Sequence, residues 1–211
     1  MNKFIIFDLD GTLIDTLEGI YVAINKTLEE LNINKVYTKE EVKGFIGNGV
    51  GKLFERALKR NYTSEEMDHL LINYEKYQYV SKPFEGVIET LDYFKNNGYS
   101  LFIYSNKPEH LLQKLCEYSF DKSLFKFIKG EDKNFPRKPD NTFLKYLFKE
   151  YGLKSEEGYY VGDSYVDVLT AKNMNLRSII LSYGYGDLIE TKKHNPDYII
   201  DEFKRLKEII R

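Results

Sequence analysis

Asp8 and Asp10 stand at the end of the run Phe4-Ile5-Ile6-Phe7-Asp8-Leu9-Asp10-Gly11-Thr12. Aspartate is depleted in strands, and a buried carboxylate is costly unless something pairs with it. Two of them where an apolar run leaves the core point to a site that supplies the partner. Three later stretches carry groups of the same kind: Ser105-Asn106-Lys107, Arg137-Lys138-Pro139, and Gly162-Asp163-Ser164 with Asp167 one helical turn on. Carboxylates can attack, move protons or ligate a hard cation; a lysine neutralises negative charge; a hydroxyl donates hydrogen bonds. Taken singly, Asp or Ser ahead of a helix is often only an N-cap. Four such sets in one chain call for a fold that gathers them.

The pattern of the chain supplies that fold. Short apolar runs at 4–7, 100–105, 124–129, 158–163, 177–182 and 197–200 read as strands. Amphipathic segments lie between most of them. Residues 86–98 carry Val87, Leu91 and Phe94 on one stripe and stop at Gly98; residues 139–152 repeat the pattern and stop at Gly152. Strands alternating with helices predict an α/β, Rossmann-like parallel sheet with helices on both faces. In such sheets ligands bind beyond the carboxyl ends of the strands, where these four sets fall. One interval breaks the alternation. Between Thr16 and Ser81 the patterns are helical only, about four helices, with capping-box spacing at Thr38/Glu41 and at Thr63 or Ser64 with Glu66. This predicts an inserted helical cap over residues 16–81, with residues 1–15 and 82–211 forming the core.

The bulk properties set outer bounds. The chain has 211 residues, 42% of them hydrophobic, enough for a real core, and a net charge of -2. No basic stripe stands out, which argues against a nucleic-acid partner. No run reaches the ~20 apolar residues of a membrane helix, and no signal-peptide core precedes Asp8. The single cysteine, Cys116, lies in a helical pattern and reads as a packing residue. One cysteine cannot form an internal disulfide, which fits a reducing cytoplasm. His69, His110 and His194 are widely separated and show no metal-ligand spacing.

The motifs FDLDGTLIDT, YSNK, RKP and GDSYVD, in that order, resemble the four motifs of the haloacid dehalogenase-like hydrolase superfamily. The resemblance covers the chain end to end, and the helical insertion is similar to that superfamily's small cap. FIGNGVGKLFERAL (45–58) resembles the corresponding segment of phosphoglycolate phosphatases. The resemblance implies a Mg²⁺-dependent phosphomonoester hydrolase working through an aspartyl-phosphate on a small phosphorylated metabolite. Asp8 would be the nucleophile. Asp10 would protonate the leaving alcohol and then deprotonate water. Lys138 would supply positive charge. Asp8, Asp163 and the backbone carbonyl of Asp10 would hold the metal, with Asp167 and Ser164 in support. Ser105, Asn106 and the Gly11–Thr12 loop would serve the phosphoryl oxygens. This agrees with the chemistry: phosphoryl transfer asks mostly for positioning and charge neutralisation, and Mg²⁺ prefers oxygen ligands. Where many relatives continue lysine-proline-x-proline, this sequence reads Lys138-Pro139-Asp140-Asn141.

Several readings stay open at this level. The glycine-rich segment Gly47-Asn48-Gly49-Val50-Gly51 follows no strand, so a dinucleotide fingerprint does not apply. It is either a plain helix–helix loop or a cap loop whose amides face the substrate, with Asn48 and Gly49 as contacts. Arg56 is a candidate partner for a substrate carboxylate. Asn106 and Lys107 read as supporting residues or substrate contacts, and Arg137 as an understudy for Lys138. Phosphoglycolate is the favoured substrate; a nucleotide, a sugar phosphate, pyrophosphate, a mutase reaction and a non-catalytic phosphate sensor are the alternatives. A dehalogenase fits less well, since that chemistry needs neither Mg²⁺ nor an acid at Asp10. Closure of the cap about links at 13–16 and 79–84 is a further expectation.

Overall fold

The computed structural model describes residues 3–210; the outer limits of the expected core, at residues 1 and 211, lie outside them. In chain order the elements are β1 (Phe4–Phe7), β2 (Ile14–Asp15), α1 (Leu17–Glu30), α2 (Lys39–Lys43), α3 (Gly49–Leu58), α4 (Ser64–Tyr77), β3 (Lys82–Pro83), α5 (Val87–Asn96), β4 (Ser100–Pro108), α6 (Glu109–Ser119), β5 (Phe127–Glu131), α7 (Thr142–Tyr151), β6 (Gly158–Gly162), α8 (Tyr165–Lys172), β7 (Arg177–Leu181), α9 (Leu188–Lys193), β8 (Tyr198–Ile200) and α10 (Leu206–Ile209).

Six strands form one parallel sheet in the order β5-β4-β1-β6-β7-β8. β1 is central and buried on both faces, which is why its run is apolar without alternation. Ile5, Phe7, Leu101, Ile103 and Val161 pack into one core cluster; Phe4, Ile6, Phe102, Tyr104 and Tyr160 pack into the cluster on the opposite face. The fold is therefore the α/β, Rossmann-like arrangement that the alternating pattern predicts.

Register explains why the polar sets converge. Phe7 pairs with Ile103 on one side and Val161 on the other, so Asp8 leaves the sheet level with Tyr104 and Gly162. Ser105 and Asp163 follow one residue later. The sheet order also reverses direction around β1, and such a switch point is where open α/β sheets bind ligands.

Two strands depart from the sequence reading by more than one residue. β4 runs on to Pro108, with a break in register between Tyr104 and Pro108, so Ser105-Asn106-Lys107 sits in an irregularity. Such irregularities re-aim side chains at strand ends. β5 begins at Phe127, not at residue 124, because Leu124 and Phe125 plug the core ahead of the ladder.

Four helices, α1 to α4, fill the interval between β2 and β3. Ile20, Ile24, Leu28, Leu53, Phe54, Leu70 and Tyr74 pack into a third cluster, which Leu111 of α6 joins from the sheet side. Thr38 and Thr63 each accept from the amide three residues on, while Glu41 and Glu66 return the bond, completing both capping boxes. The two chain crossings into this module pair as a short antiparallel ribbon, Ile14 with Pro83 and Asp15 with Lys82, which helical periodicity does not reveal.

Candidate active site

The cleft at the carboxyl end of β1 is lined by Asp8, Asp10, Ser105, Lys107, Lys138 and Asp163 from the sheet side. Gly47, Asn48, Gly49, Leu53 and Tyr74 line it from the helical module.

Lys138 is the centre of charge. Its ammonium lies 2.9 Å from Asp8 Oδ1 and 2.8 Å from Asp167 Oδ1, with its side chain 2% exposed. Burial by itself would pull the ammonium down, but Asp167 and Asp8 outweigh it and hold it well above the usual lysine range. Asn106 fixes the lysine's backbone from both sides: its Oδ1 accepts from the Lys138 amide (2.7 Å) and its Nδ2 donates to the Lys138 carbonyl (3.1 Å). Asn106 thus positions Lys138.

The carboxylates are crowded. Asp8, Asp163 and Asp167 each offer an oxygen within 4.8 Å of the others'. Burial, then repulsion from Asp167 and Asp10, pushes Asp8 up to about 6 against the pull of Lys138. Burial, then Asp167 and Asp8, pushes Asp163 up to about 8, although it accepts from the amides of Tyr185 (2.6 Å) and Gly186 (3.1 Å). Asp167 is already engaged. Its Oδ2 accepts from the amides of Asp163 (3.2 Å) and Ser164 (3.0 Å) and from the Ser164 hydroxyl (2.9 Å). It orients Lys138 and closes the N-terminus of α8, while Asp8 and Asp163 keep ligating capacity.

Asp10 lies beside a second buried lysine. Lys107 Nζ is 3.3 Å from Asp10 Oδ1 and 4.1 Å from the centre of the Tyr74 ring in the helical module. Ser105 is buried in the cleft wall and its Oγ accepts from the Lys107 amide at 3.3 Å. Gly11 has φ +81°, and a Cβ there would lie 2.5 Å from Asp163 Oδ2, so only glycine fits this turn. Thr12 is fully buried and holds the loop, its carbonyl accepting from the Tyr183 hydroxyl at 2.8 Å; it does not line the cleft.

In the helical module, Gly47, Asn48 and Gly49 all take positive φ and lead into α3. Asn48 and Gly49 lie in the cleft wall, and the Asn48 carbonyl accepts from Arg137 at 2.6 Å. Arg137 therefore joins the core to the module and does not duplicate Lys138. Arg56 is also elsewhere than expected. From the last turn of α3 it folds back onto the carbonyls of Phe45 (2.7 Å) and Gly47 (3.0 Å), bracing the glycine loop from outside the cleft. Cys116 is buried and burial pushes its thiol up to about 12, which leaves it inert.

The segment Tyr183-Gly184-Tyr185-Gly186 escaped the sequence reading. Beyond its backbone bonds to Asp163, its Tyr185 hydroxyl accepts from the amides of Thr16 (2.7 Å) and Leu17 (3.0 Å) and donates to Asp15 (2.6 Å). It ties a site carboxylate to the first crossing into the module. Its position directly after β7, at the sheet edge that carries the other sets, was the available signal.

Comparison with known proteins identifies the family. The family model for haloacid dehalogenase-like hydrolases matches residues 5–181. A phosphoglycolate phosphatase of Pseudomonas syringae pv. tomato is 32% identical over 98% of this chain and 79% of its own length. One from Aliivibrio fischeri is 31% identical over 99% of this chain and 96% of its own. The crystal structure of a predicted phosphoglycolate phosphatase from Haemophilus somnus superposes with a TM-score of 0.89 at 29% identity, covering 100% of this chain and 98% of that one. On the family match and these relatives, the chain belongs to the haloacid dehalogenase-like hydrolase family and stands among its phosphatases.

Proposed function

We propose that this chain is a Mg²⁺-dependent phosphomonoester hydrolase whose substrate is phosphoglycolate, acting through an aspartyl-phosphate on Asp8. The observation that carries the reading is the pairing of Asp8 with Lys138, with Asp10 and Asp163 at the same strand ends. A carboxylate held against a buried ammonium can approach an anionic ester that would otherwise repel it.

The donor set fits a hard divalent cation. Three carboxylates share one region and a single lysine faces two of them, so the site carries excess negative charge. Asp8 and Asp163 would hold Mg²⁺, joined by the carbonyl of Asp10. Bound there, the ion would neutralise charge on the carboxylates and the phosphoryl oxygens.

The chain's own residues do the rest. Asp8 attacks phosphorus as the bond to the ester oxygen breaks, and Asp10 gives that oxygen a proton. Asp10 then takes a proton from water, which attacks phosphorus and breaks the bond to Asp8, releasing inorganic phosphate. Lys138 holds Asp8 in place, and Ser105 donates to phosphoryl oxygen. Residues 16–81 act as a cap: Asn48, Gly49 and Tyr74 close the cleft over a small substrate and limit bulk water. The phosphoglycolate assignment rests on the names of the relatives and on this closure. The single buried cysteine fits a reducing, cytoplasmic setting.

The test is phosphate release from phosphoglycolate, sugar phosphates, nucleotides and pyrophosphate, with Mg²⁺ and with chelator. The expected result is a preference for phosphoglycolate that chelator and Asp8→Asn both abolish. Full turnover by Asp8→Asn would overturn the mechanism; an even response across the panel would overturn the substrate.

A further inference from the structure

We propose that Lys107, a core residue and not a cap residue, reads the carboxylate of the substrate and so sets specificity for phosphate esters of a 2-hydroxy acid. This rests on the function proposed above and names the group responsible for its substrate choice.

Among the described residues, the cleft is lined by two lysines and no arginine. Lys138 is committed to Asp8 and Asp167. Arg56 and Arg137, the neighbouring guanidiniums, are spent on backbone carbonyls of the 45–48 loop. Lys107 alone among the lining cations has one carboxylate partner, Asp10, and that contact is long at 3.3 Å. Its side chain is 1% exposed, so water cannot readily solvate it. The face of Tyr74 covers it from the module side at 4.1 Å.

Lys107 is buried and meets a single carboxylate at 3.3 Å, so its ammonium has capacity for a second anion in the cleft. In a phosphate ester of a 2-hydroxy acid the carboxylate is attached to the carbon bearing the ester oxygen. An ester oxygen within reach of Asp10 therefore places the carboxylate within reach of an ammonium 3.3 Å from Asp10. The irregularity in β4 presents Lys107 to the cleft, since the ladder to β5 lapses between Tyr104 and Pro108.

The experiment compares wild type, Lys107→Met and Lys107→Arg in two arms. Hydrolysis is measured on phosphoglycolate and on 2-hydroxyethyl phosphate, which has CH₂OH in place of the carboxylate. Binding is measured by calorimetry with 3-phosphonopropionate and propylphosphonate, which cannot turn over. Circular dichroism and thermal unfolding establish that each variant is folded; Lys107→Gln replaces Lys107→Met if the latter is not. Removing Lys107 also strips Asp10 of its partner and slows both esters, so the readout is the ratio. In Lys107→Met, activity on phosphoglycolate relative to 2-hydroxyethyl phosphate, and affinity for 3-phosphonopropionate relative to propylphosphonate, should each fall about 10- to 100-fold, with partial recovery of both ratios in Lys107→Arg. Equal losses on both esters, or an unchanged affinity for 3-phosphonopropionate, would overturn the inference. Absence of hydrolysis by wild type would instead defeat the proposed function, while the binding arm still decides the role of Lys107.

Discussion

Replacing Lys138 by methionine isolates the charge balance of the site. Methionine keeps the stem and removes the ammonium that lies 2.9 Å from Asp8 and 2.8 Å from Asp167. The remaining carboxylates are buried, with Asp163 within 4.8 Å of both. Removing one partner of a buried pair costs about 3–5 kcal/mol, because the other charge is left uncompensated. For a chain of this size each kcal/mol moves Tm by about 2–4 °C, so the expected drop is about 6–20 °C. The protein can limit the loss by protonating a carboxylate, and the pH dependence follows from that. Asp8 already sits at about 6 with Lys138 present, above its unfolded value of 3.8, and loss of the lysine raises it further. Between the unfolded and folded values the native state binds more protons than the unfolded state, so this contribution falls as pH rises. The drop in Tm should therefore be larger at pH 8 than at pH 5. The assay is thermal unfolding in chelator at both pH values, repeated in an Asp167→Asn background. There the same substitution should cost about 1–3 kcal/mol less, since one of the two stranded charges is gone. A Lys138→Met protein within 2 °C of wild type at pH 8, or one more destabilised at pH 5, would refute the reasoning.

Three further outcomes follow from named contacts. Mg²⁺ should stabilise the wild type more at pH 8 than at pH 6, because it must displace a proton from Asp163, held at about 8 by burial and its neighbours; thermal shift against Mg²⁺ concentration reads this, and an affinity independent of pH would contradict it. Gly11→Ala puts a Cβ 2.5 Å from Asp163 Oδ2 on a backbone at φ +81°, so a loss of about 1–3 kcal/mol in urea unfolding and at least tenfold weaker Mg²⁺ binding are expected. Tyr185→Phe removes the acceptor for the Thr16 and Leu17 amides but keeps the backbone bonds to Asp163; hydrogen exchange should accelerate at those two amides, with stability down by about 1–2 kcal/mol.

Much of this protein is legible in one dimension, for reasons that are local. A strand buried on both faces must be apolar throughout, so Phe4–Phe7 announces itself. Helix limits follow from the glycines at 98 and 152 and from the two capping boxes, whose bonds lie within four residues. The motif residues at four strand ends or nearby loops were also visible, because a carboxylate directly after an apolar run is costly to bury without a partner and so marks a site. What the tertiary structure decided is who pairs with whom. Lys138 lies 130 residues from Asp8 and 29 from Asp167, and only parallel register brings them to one ammonium. Arg56 and Lys107 looked alike as charges, yet one turns back onto carbonyls of the 45–47 loop and the other enters the cleft through a lapse in the β4 ladder. The Tyr185 brace spans from β7's end to the start of α1 and joins residues about 170 apart. Sequence records propensity and pattern along the chain; the partner of a buried charge is set by which distant segment the sheet places beside it.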